Sequence, residues 1–140
     1  MSKHAFISYK AEDANFVIQL ATDLKNAGFR VWVDRLQGIV TGDEWLAAIG
    51  KALENSSALI AVITPEYFTT RYCRDELIYA YLHDIRIIPI ILRPIDFKTI
   101  PKNLFWLEDI HFISFENYAY DEQIYKDGLA AIQDRLRKID

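Results

Sequence analysis

The feature that most constrains the fold is a continuous apolar run, residues 58–63, which Thr64 and Pro65 bring to an end. A run of this length and character is typical of a strand that is buried on both faces in a parallel sheet. Further strand-like runs occur at residues 5–8, 29–33, 86–92 and 111–115. Pro89 has no backbone N–H, which indicates that the fourth strand lies near the margin of the sheet.

Segments with helical periodicity separate these strands. In each of them apolar residues recur every three or four positions, as on the buried face of an amphipathic helix. Asp13 is the expected N-cap of the first helix, Gly28 its expected stop, and Asp43 the expected cap of the second. The apolar positions are Phe16, Val17, Leu20, Ala21 and Leu24 in the first helix, Trp45, Ile49 and Leu53 in the second, and Ile124, Leu129, Ile132, Leu136 and Ile139 in the last.

A third helix is predicted at residues 72–83, and its two faces differ in character. Cys73, Leu77 and Tyr81 fall on one stripe, which suits the core. Glu76 falls on a neighbouring face, which suits solvent or a cleft. The cysteine is interpreted as an inert thiol packed near the core, with no catalytic role.

The alternation of strands and helices predicts an α/β fold. We expect a flavodoxin-like three-layer sandwich, in which a five-stranded parallel sheet carries helices on both faces and right-handed crossovers join the strands. A chain of 140 residues, 51% of them hydrophobic, is expected to form one domain over residues 1–140. A further sensor or effector module beyond that length is left open.

Composition and charge exclude several classes of function. A formal net charge of -4 argues against a nucleic-acid surface, because phosphate binding needs clustered Lys and Arg. The longest apolar stretch, residues 87–92, is too short to span a bilayer, and a single Cys favours a reducing, cytoplasmic setting. The three histidines show no metal-ligand spacing with that Cys, so no metal site is expected.

Polar residues follow the first three predicted strands. Because parallel strands all point the same way, the loops after them emerge on one rim of the sheet, where open α/β folds bind ligands. The residues brought to this rim are Ser8, Tyr9 and Asp13 after the first strand, Asp34, Arg35, Gly42 and Trp45 after the second, and Thr64, Tyr72, Cys73 and Glu76 after the third.

These residues carry a resemblance to a known family. The chain resembles a Toll/interleukin-1 receptor (TIR) domain, most of all the prokaryotic type, over essentially its whole length. Four segments carry the resemblance: FISY at 6–9 with Asp13, VWVD at 31–34 with the loop to Gly42, Trp45 with Ile49, and YCRDEL at 72–77. Each alone is weak, but their order and their places on the predicted elements make the combination specific.

The resemblance implies either of two functions, because the family contains scaffolds that signal by assembling and enzymes that cleave NAD⁺ between ribose and nicotinamide. The enzymes carry a glutamate in the helix after the third strand, three residues beyond a cysteine and four beyond a tryptophan. Cys73 and Glu76 match this spacing, and Tyr72 replaces the tryptophan. The resemblance therefore implies that Glu76 is catalytic, that NAD⁺ is a substrate rather than a cofactor, and that homotypic self-association activates the enzyme.

Roles for the other rim residues are implied in the same way. Tyr72, Trp45 or Tyr9 would stack on a flat ring, Ser8 and Thr64 would hydrogen-bond ribose or carboxamide, and Arg35 would meet a phosphate. Asp34 and Gly42 complete the substrate-binding candidates. The loop at residues 35–42 would close over the site or dock onto a neighbouring chain.

Plainer interpretations of the same residues stay open. Glu76 would otherwise be a surface residue pairing with a nearby arginine, Trp45 a core anchor, and Asp34 the acceptor of an Asx turn. Ser8 and Thr64 would satisfy local backbone groups. A scaffold without turnover is the alternative function. A phosphorylatable receiver domain fits poorly, because Ser8 and Thr64 stand where that chemistry needs acidic residues.

Overall fold

The computed structural model describes residues 3–33 and 43–139, and within the second range it leaves the side chains of residues 43–48 undescribed. Strands and helices alternate through the described residues. The strands are β1 (His4–Ser8), β2 (Val31–Val33), β3 (Ser56–Ile63), β4 (Arg86–Ile91) and β5 (Ile113–Ser114), and the α-helices are α1 (Ala14–Asn26), α2 (Asp43–Glu54), α3 (Arg71–Leu82) and α4 (Glu122–Arg137). Short 3-10 helices lie at Ala11–Asp13, Tyr67–Thr69, Phe97–Thr99 and Lys102–Asp109.

The described strands form one sheet in the order β2-β1-β3-β4-β5, and every pair in it is parallel. This order confirms the predicted flavodoxin-like fold. The chain runs outward from β1 to β2 and then crosses to β3 on the other side of β1. The carboxyl ends of β1 and β3 therefore flank the switch point, where folds of this order bind their ligands.

Alternation along the strands sends side chains into two cores. Ile7 packs in one core with residues of α1 and α4, whereas Phe6 packs in the other with residues of α2 and α3. The ring of Trp32 stacks on Phe6 with centroids 4.9 Å apart. Helices thus cover both faces of the sheet, as the buried character of the strands predicted.

Helix α1 ends as predicted, but its start differs in one respect. Gly28 has a φ of 96°, the left-handed conformation that a glycine tolerates after a helix C-terminus. Asp13 occupies the N-cap position, yet its side chain makes no capping hydrogen bond. The carboxylate pairs with Arg93 instead.

The edge of the sheet at β5 is shorter than the sequence predicts. β5 covers Ile113–Ser114 rather than residues 111–115. Ile91 O accepts a hydrogen bond from Phe115 N, and Leu92 N donates to Ile63 O. The backbone groups of alternate β4 residues therefore point toward β5, and Pro89 is one of these residues. The N–H that Pro89 lacks would have pointed away from β3.

The prediction that Tyr81 packs in the core is wrong. Its side chain is 50% exposed and stacks on Trp106, with ring centroids 4.1 Å apart. Eight residues turn a helix by about 80° beyond two full turns, so position 81 has rotated away from Cys73. The buried face of α3 instead consists of Cys73, Glu76, Leu77 and Ala80.

A helix that crosses a bilayer must be both long and apolar. Within residues 3–33 and 43–139, no helix combines the length and the apolar character that crossing a membrane requires.

Candidate active site

Glu76 is buried and hydrogen-bonded at the carboxyl edge of the sheet. Its side chain is 1% exposed, and Ser8 Oγ donates a hydrogen bond of 2.7 Å to Glu76 Oε1. Ser8 Oγ also lies 2.7 Å from the hydroxyl oxygen of Tyr67. A hydrogen-bonded chain thus runs from Tyr67 through Ser8 to Glu76.

Three different elements supply the three hydrogen-bonded residues. Ser8 is the last residue of β1, and alternation with Phe6 turns its side chain toward the face that α3 covers. Tyr67 opens the short 3-10 helix that follows β3, and Glu76 lies on the buried face of α3. The three residues therefore meet beside the switch point between β1 and β3.

Burial determines the protonation of Tyr67. Its side chain is fully buried, and desolvation raises the pKa of its hydroxyl well above the usual value of 10.0, with smaller contributions from Cys73 and Glu76. The hydroxyl is therefore protonated at neutral pH.

Tyr72, the residue that stands in place of the family's tryptophan, lies beside Glu76 and is half-buried. A hydrogen bond from the Ala11 backbone reaches its hydroxyl. Burial, followed by the proximity of Cys73, raises the pKa of Tyr72 above its usual value. Tyr72 therefore presents a neutral phenol between α3 and the loop after β1.

Thr64 and Tyr9 are both buried, just after β3 and β1. Thr64 is fully buried, and within the described residues its hydroxyl makes no hydrogen bond. Its carbonyl accepts from Tyr67 N at 3.1 Å, which sets the turn after β3. Tyr9 is 6% exposed and packs in the core beneath α1, on the opposite face of the sheet from Glu76. Their roles in binding a substrate stay predictions.

The remaining candidates fall on the part of the chain that the structure does not describe. Asp34, Arg35 and Gly42 lie outside the described residues. Trp45 belongs to α2, but its side chain is likewise not described.

Tyr67 and Arg93 are residues of the rim that the sequence did not single out. Tyr67 follows Pro65 by two positions, and a lone tyrosine in a polar turn carries no periodic signal. Arg93 Nη1 lies 2.9 Å from Asp13 Oδ1, a contact between residues 80 positions apart. Strand direction is enough to bring both residues to the rim, because Tyr67 follows β3 and Arg93 follows β4, but their contacts depend on the packing of distant segments.

The arrangement offers a carboxylate with a fixed hydrogen-bond donor in a site largely shielded from water. Such a group can stabilise positive charge that develops on a nearby substrate, because a low-dielectric surrounding strengthens the interaction. Within the described residues, no group of three or more His, Cys, Asp or Glu is placed to hold a metal ion.

Comparison with known sequences gives a family and one curated relative. A family model described as "TIR domain" matches residues 5–129. A protein of Bacteroides thetaiotaomicron named "2' cyclic ADP-D-ribose synthase BtTIR" is 33% identical over 73 residues, which are 51% of this chain and 25% of that protein. The matched segment thus spans a quarter of the relative's length.

Comparison with solved structures gives the same fold. The TIR domain of the Toll-related receptor TRR-2 from Hydra magnipapillata matches with a TM-score of 0.75 at 23% identity, covering 98% of this chain and 100% of that one. The TIR domains of the activated Roq1 resistosome match with a TM-score of 0.69 at 19% identity, covering 96% and 99%. The family match over most of the chain, together with these structures, shows that the protein belongs to the TIR domain family.

Proposed function

We propose that the protein is an NAD⁺ glycohydrolase that cleaves the bond between nicotinamide and ribose, with Glu76 as the catalytic carboxylate. The observation that carries this proposal is the 2.7 Å hydrogen bond from Ser8 to a glutamate that is only 1% exposed. Enclosing a carboxylate is costly for folding, and groups that are enclosed in this way cluster at functional sites. The name of the Bacteroides relative, a cyclic ADP-D-ribose synthase, supports the same chemistry.

One carboxylate suffices for this reaction. The nicotinamide of NAD⁺ is already cationic, so it departs with the bonding electrons as a neutral base and needs no general acid. Most glycosidases need a second carboxyl group for that step. Positive charge develops on the ribose as the bond breaks, and the carboxylate of Glu76 would stabilise it electrostatically. NAD⁺ is consumed as a substrate, and the proposal needs no cofactor or metal.

The product depends on the nucleophile that reaches the ribose. Attack by water gives ADP-ribose and a proton, whereas attack by a group of the same dinucleotide gives a cyclic isomer and a proton. Tyr72 would stack on a flat ring of the substrate, and Ser8 would contribute through its bond to Glu76. The candidates outside the described side chains, Asp34, Arg35, Gly42 and Trp45, keep their proposed substrate contacts.

Access to Glu76 calls for a change of conformation. A side chain that is 1% exposed cannot touch a dinucleotide, so the site must open before NAD⁺ binds. We propose that homotypic self-association supplies this opening and makes activity depend on assembly, in cytoplasmic signalling or defence. A fused or partner sensor domain would then control assembly.

The test is nicotinamide release from NAD⁺ by concentrated protein and by protein fused to an oligomerising domain. Glu76→Gln is expected to lower the rate by at least about a hundredfold, as loss of a transition-state contact does. Asp75→Asn is the matched control, because it removes a charge from the same helix at a side chain that is 44% exposed. Equal release by the wild type and Glu76→Gln would remove Glu76 from the mechanism. No release by any form, fused or not, would refute the enzyme.

A scaffold that assembles without turnover is the second candidate. It is favoured by exposed apolar side chains near the end of α3 and on the Lys102–Asp109 helix, namely Tyr81, Leu82 and Phe105. Gly42→Pro separates the two functions when self-association and nicotinamide release are both measured. A scaffold would lose assembly alone, whereas an enzyme activated by assembly would lose both.

A further inference from the structure

We infer that Tyr67 is a positioning residue that fixes the carboxylate of Glu76 by orienting the hydroxyl of Ser8. This inference rests on the proposed function for its catalytic consequence. Its structural basis is the hydrogen-bonded chain in which both oxygen–oxygen distances are 2.7 Å.

The direction of both hydrogen bonds follows from a count of protons. A serine hydroxyl has one proton to donate and two lone pairs that accept. Ser8 gives its one proton to Glu76 Oε1, so it has none left for a second hydrogen bond. The contact between Ser8 and Tyr67 must then be donated by Tyr67.

Tyr67 is held in a way that suits this task. Its ring is fully buried and meets Phe68 edge-on, with centroids 5.3 Å apart. Its backbone N–H donates to Thr64 O, which anchors the residue to the end of β3. Burial also raises the pKa of Tyr67, so the hydroxyl keeps the proton that it donates. The phenol is thus a rigid donor of fixed protonation.

Without the Tyr67 hydroxyl, the Ser8 proton would no longer have a single preferred direction. Glu76 Oε1 would remain as its acceptor, but nothing would hold the Ser8 oxygen from the other side, so the hydroxyl would visit its other staggered positions more often. The carboxylate would then sample more than one orientation, and fewer molecules would hold it aimed at the ribose. Tyr67 is taken to act through Ser8 and Glu76 and not by contact with the substrate, so the loss should appear in kcat and not in KM.

A kinetic cycle with Tyr67→Phe and Ser8→Ala tests this inference. Phenylalanine keeps the ring, so the core stays filled. We expect Tyr67→Phe to lower kcat about three- to tenfold, the equivalent of one hydrogen bond, with KM unchanged. In the Ser8→Ala background the same substitution should have no further effect. Tyr120→Phe, at a tyrosine that is 90% exposed, is the matched control and should be neutral.

Two kinetic outcomes would overturn the inference while leaving the proposed function in place. One is that Glu76→Gln abolishes activity whereas the separate variant Tyr67→Phe keeps the kcat of the wild type. The other is an equal loss from Tyr67→Phe with and without Ser8, which would show that Tyr67 acts by another route.

Urea unfolding provides a second measurement that needs no activity. Tyr67→Phe should lower the ratio of folded to unfolded protein in both the wild type and the Glu76→Ala protein. The factor should be about three times smaller in Glu76→Ala, because the hydrogen bond between Ser8 and Glu76 is already absent there. The difference should vanish when Ser8 is alanine.

If no form of the protein releases nicotinamide, the proposed function fails, and this unfolding cycle still decides whether Tyr67 and Glu76 are coupled through Ser8. Strict additivity in it would overturn the coupling.

Discussion

Arg93 and Asp13 form a bidentate ion pair at the carboxyl edge of the sheet, with Nη1 2.9 Å from Oδ1 and Nη2 3.5 Å from Oδ2. Asp13 follows β1 and is 7% exposed, whereas Arg93 follows β4. Arg93 Nη2 also lies 4.0 Å from Glu66, in the turn after β3. One guanidinium thus connects three of the loops that surround the candidate site, and its hydrogen bond with Asp13 is the main cause of a raised pKa of Arg93.

Arg93→Ala should destabilise the fold by about 1–2 kcal/mol, because it leaves Asp13 buried without its cation. The figure lies in the lower part of the range for charged hydrogen bonds, since the Arg93 side chain is 45% exposed. Arg71→Ala is the control, because Arg71 and Asp75 are 3.5 Å apart in an exposed pair. Urea unfolding should show a change below about 0.5 kcal/mol for it. Equal losses from the two variants would contradict the bridging role of Arg93.

Gly128→Ala should destabilise the packing of α4 on the sheet. A Cβ at position 128 would lie 2.4 Å from Phe115 Cζ, and the Phe115 ring is fully buried. We expect a net loss of about 1–3 kcal/mol, as for overpacked cores, despite the better helix propensity of alanine.

Gly50→Ala is the matched control for that substitution. Gly50 lies within α2, and a Cβ there would meet nothing within 4 Å. Thermal or urea unfolding should show a gain of up to about 1 kcal/mol from helix propensity alone. A similar gain at position 128 would show that the Phe115 ring moves aside without cost.

His4 should make the stability of the protein depend on pH. Burial lowers the pKa of His4 from its usual 6.5, and its Nε2 lies 3.0 Å from Ala52 O. The unfolded chain therefore binds a proton at His4 more readily than the folded chain does. This contribution to stability is present above about pH 6.5 and is lost as the pH falls through the lower folded value.

The measurement is the free energy of unfolding in urea between pH 7.5 and about 5.5, above the range in which ordinary carboxylates titrate. Wild type should lose stability on acidification, and His4→Gln, which keeps an N–H donor, should lose less. Parallel curves for the two proteins would assign the pH dependence to other groups.

Tyr72→Ala should raise KM for NAD⁺ about tenfold with a smaller effect on kcat, because stacking on a ring stabilises bound substrate and transition state alike. Tyr72→Phe keeps the ring, removes only the hydroxyl that the Ala11 backbone contacts, and should stay near wild type. Initial rates over a range of NAD⁺ concentrations separate the two constants. A fall in kcat alone for Tyr72→Ala would show that the ring orients the site and does not bind substrate.

The fold was predictable from the sequence wherever the apolar residues of a buried strand or helix recur at regular spacing. The apolar run at residues 58–63 predicted β3, and the stripe from Phe16 to Leu24 predicted α1. The 3-10 helix Lys102–Asp109 escaped prediction, because short segments of that geometry lack a long repeat. Tyr81 was misplaced because a four-residue repeat drifts around the helix surface.

The candidate site was less predictable, because its contacts join residues far apart in the chain. The sequence suggested solvent or a cleft for Glu76, and the structure buries it. There Glu76 is hydrogen-bonded to Ser8, 68 positions earlier, and Ser8 contacts Tyr67 over 59 positions. No local pattern encodes such pairs. Strand direction alone predicts the rim, whereas its hydrogen bonds depend on the packing of segments far apart in the sequence.

Pro89 opposes edge-to-edge pairing of strands between molecules of this protein. β5 pairs with β4 only at Ile90 and Ile91, so the ladder begins one residue beyond the proline. An extended segment from another molecule that tried to lengthen this ladder would find no amide proton at position 89. The flank of the sheet is thereby a poor template for intermolecular strand addition and for the fibres that such addition produces.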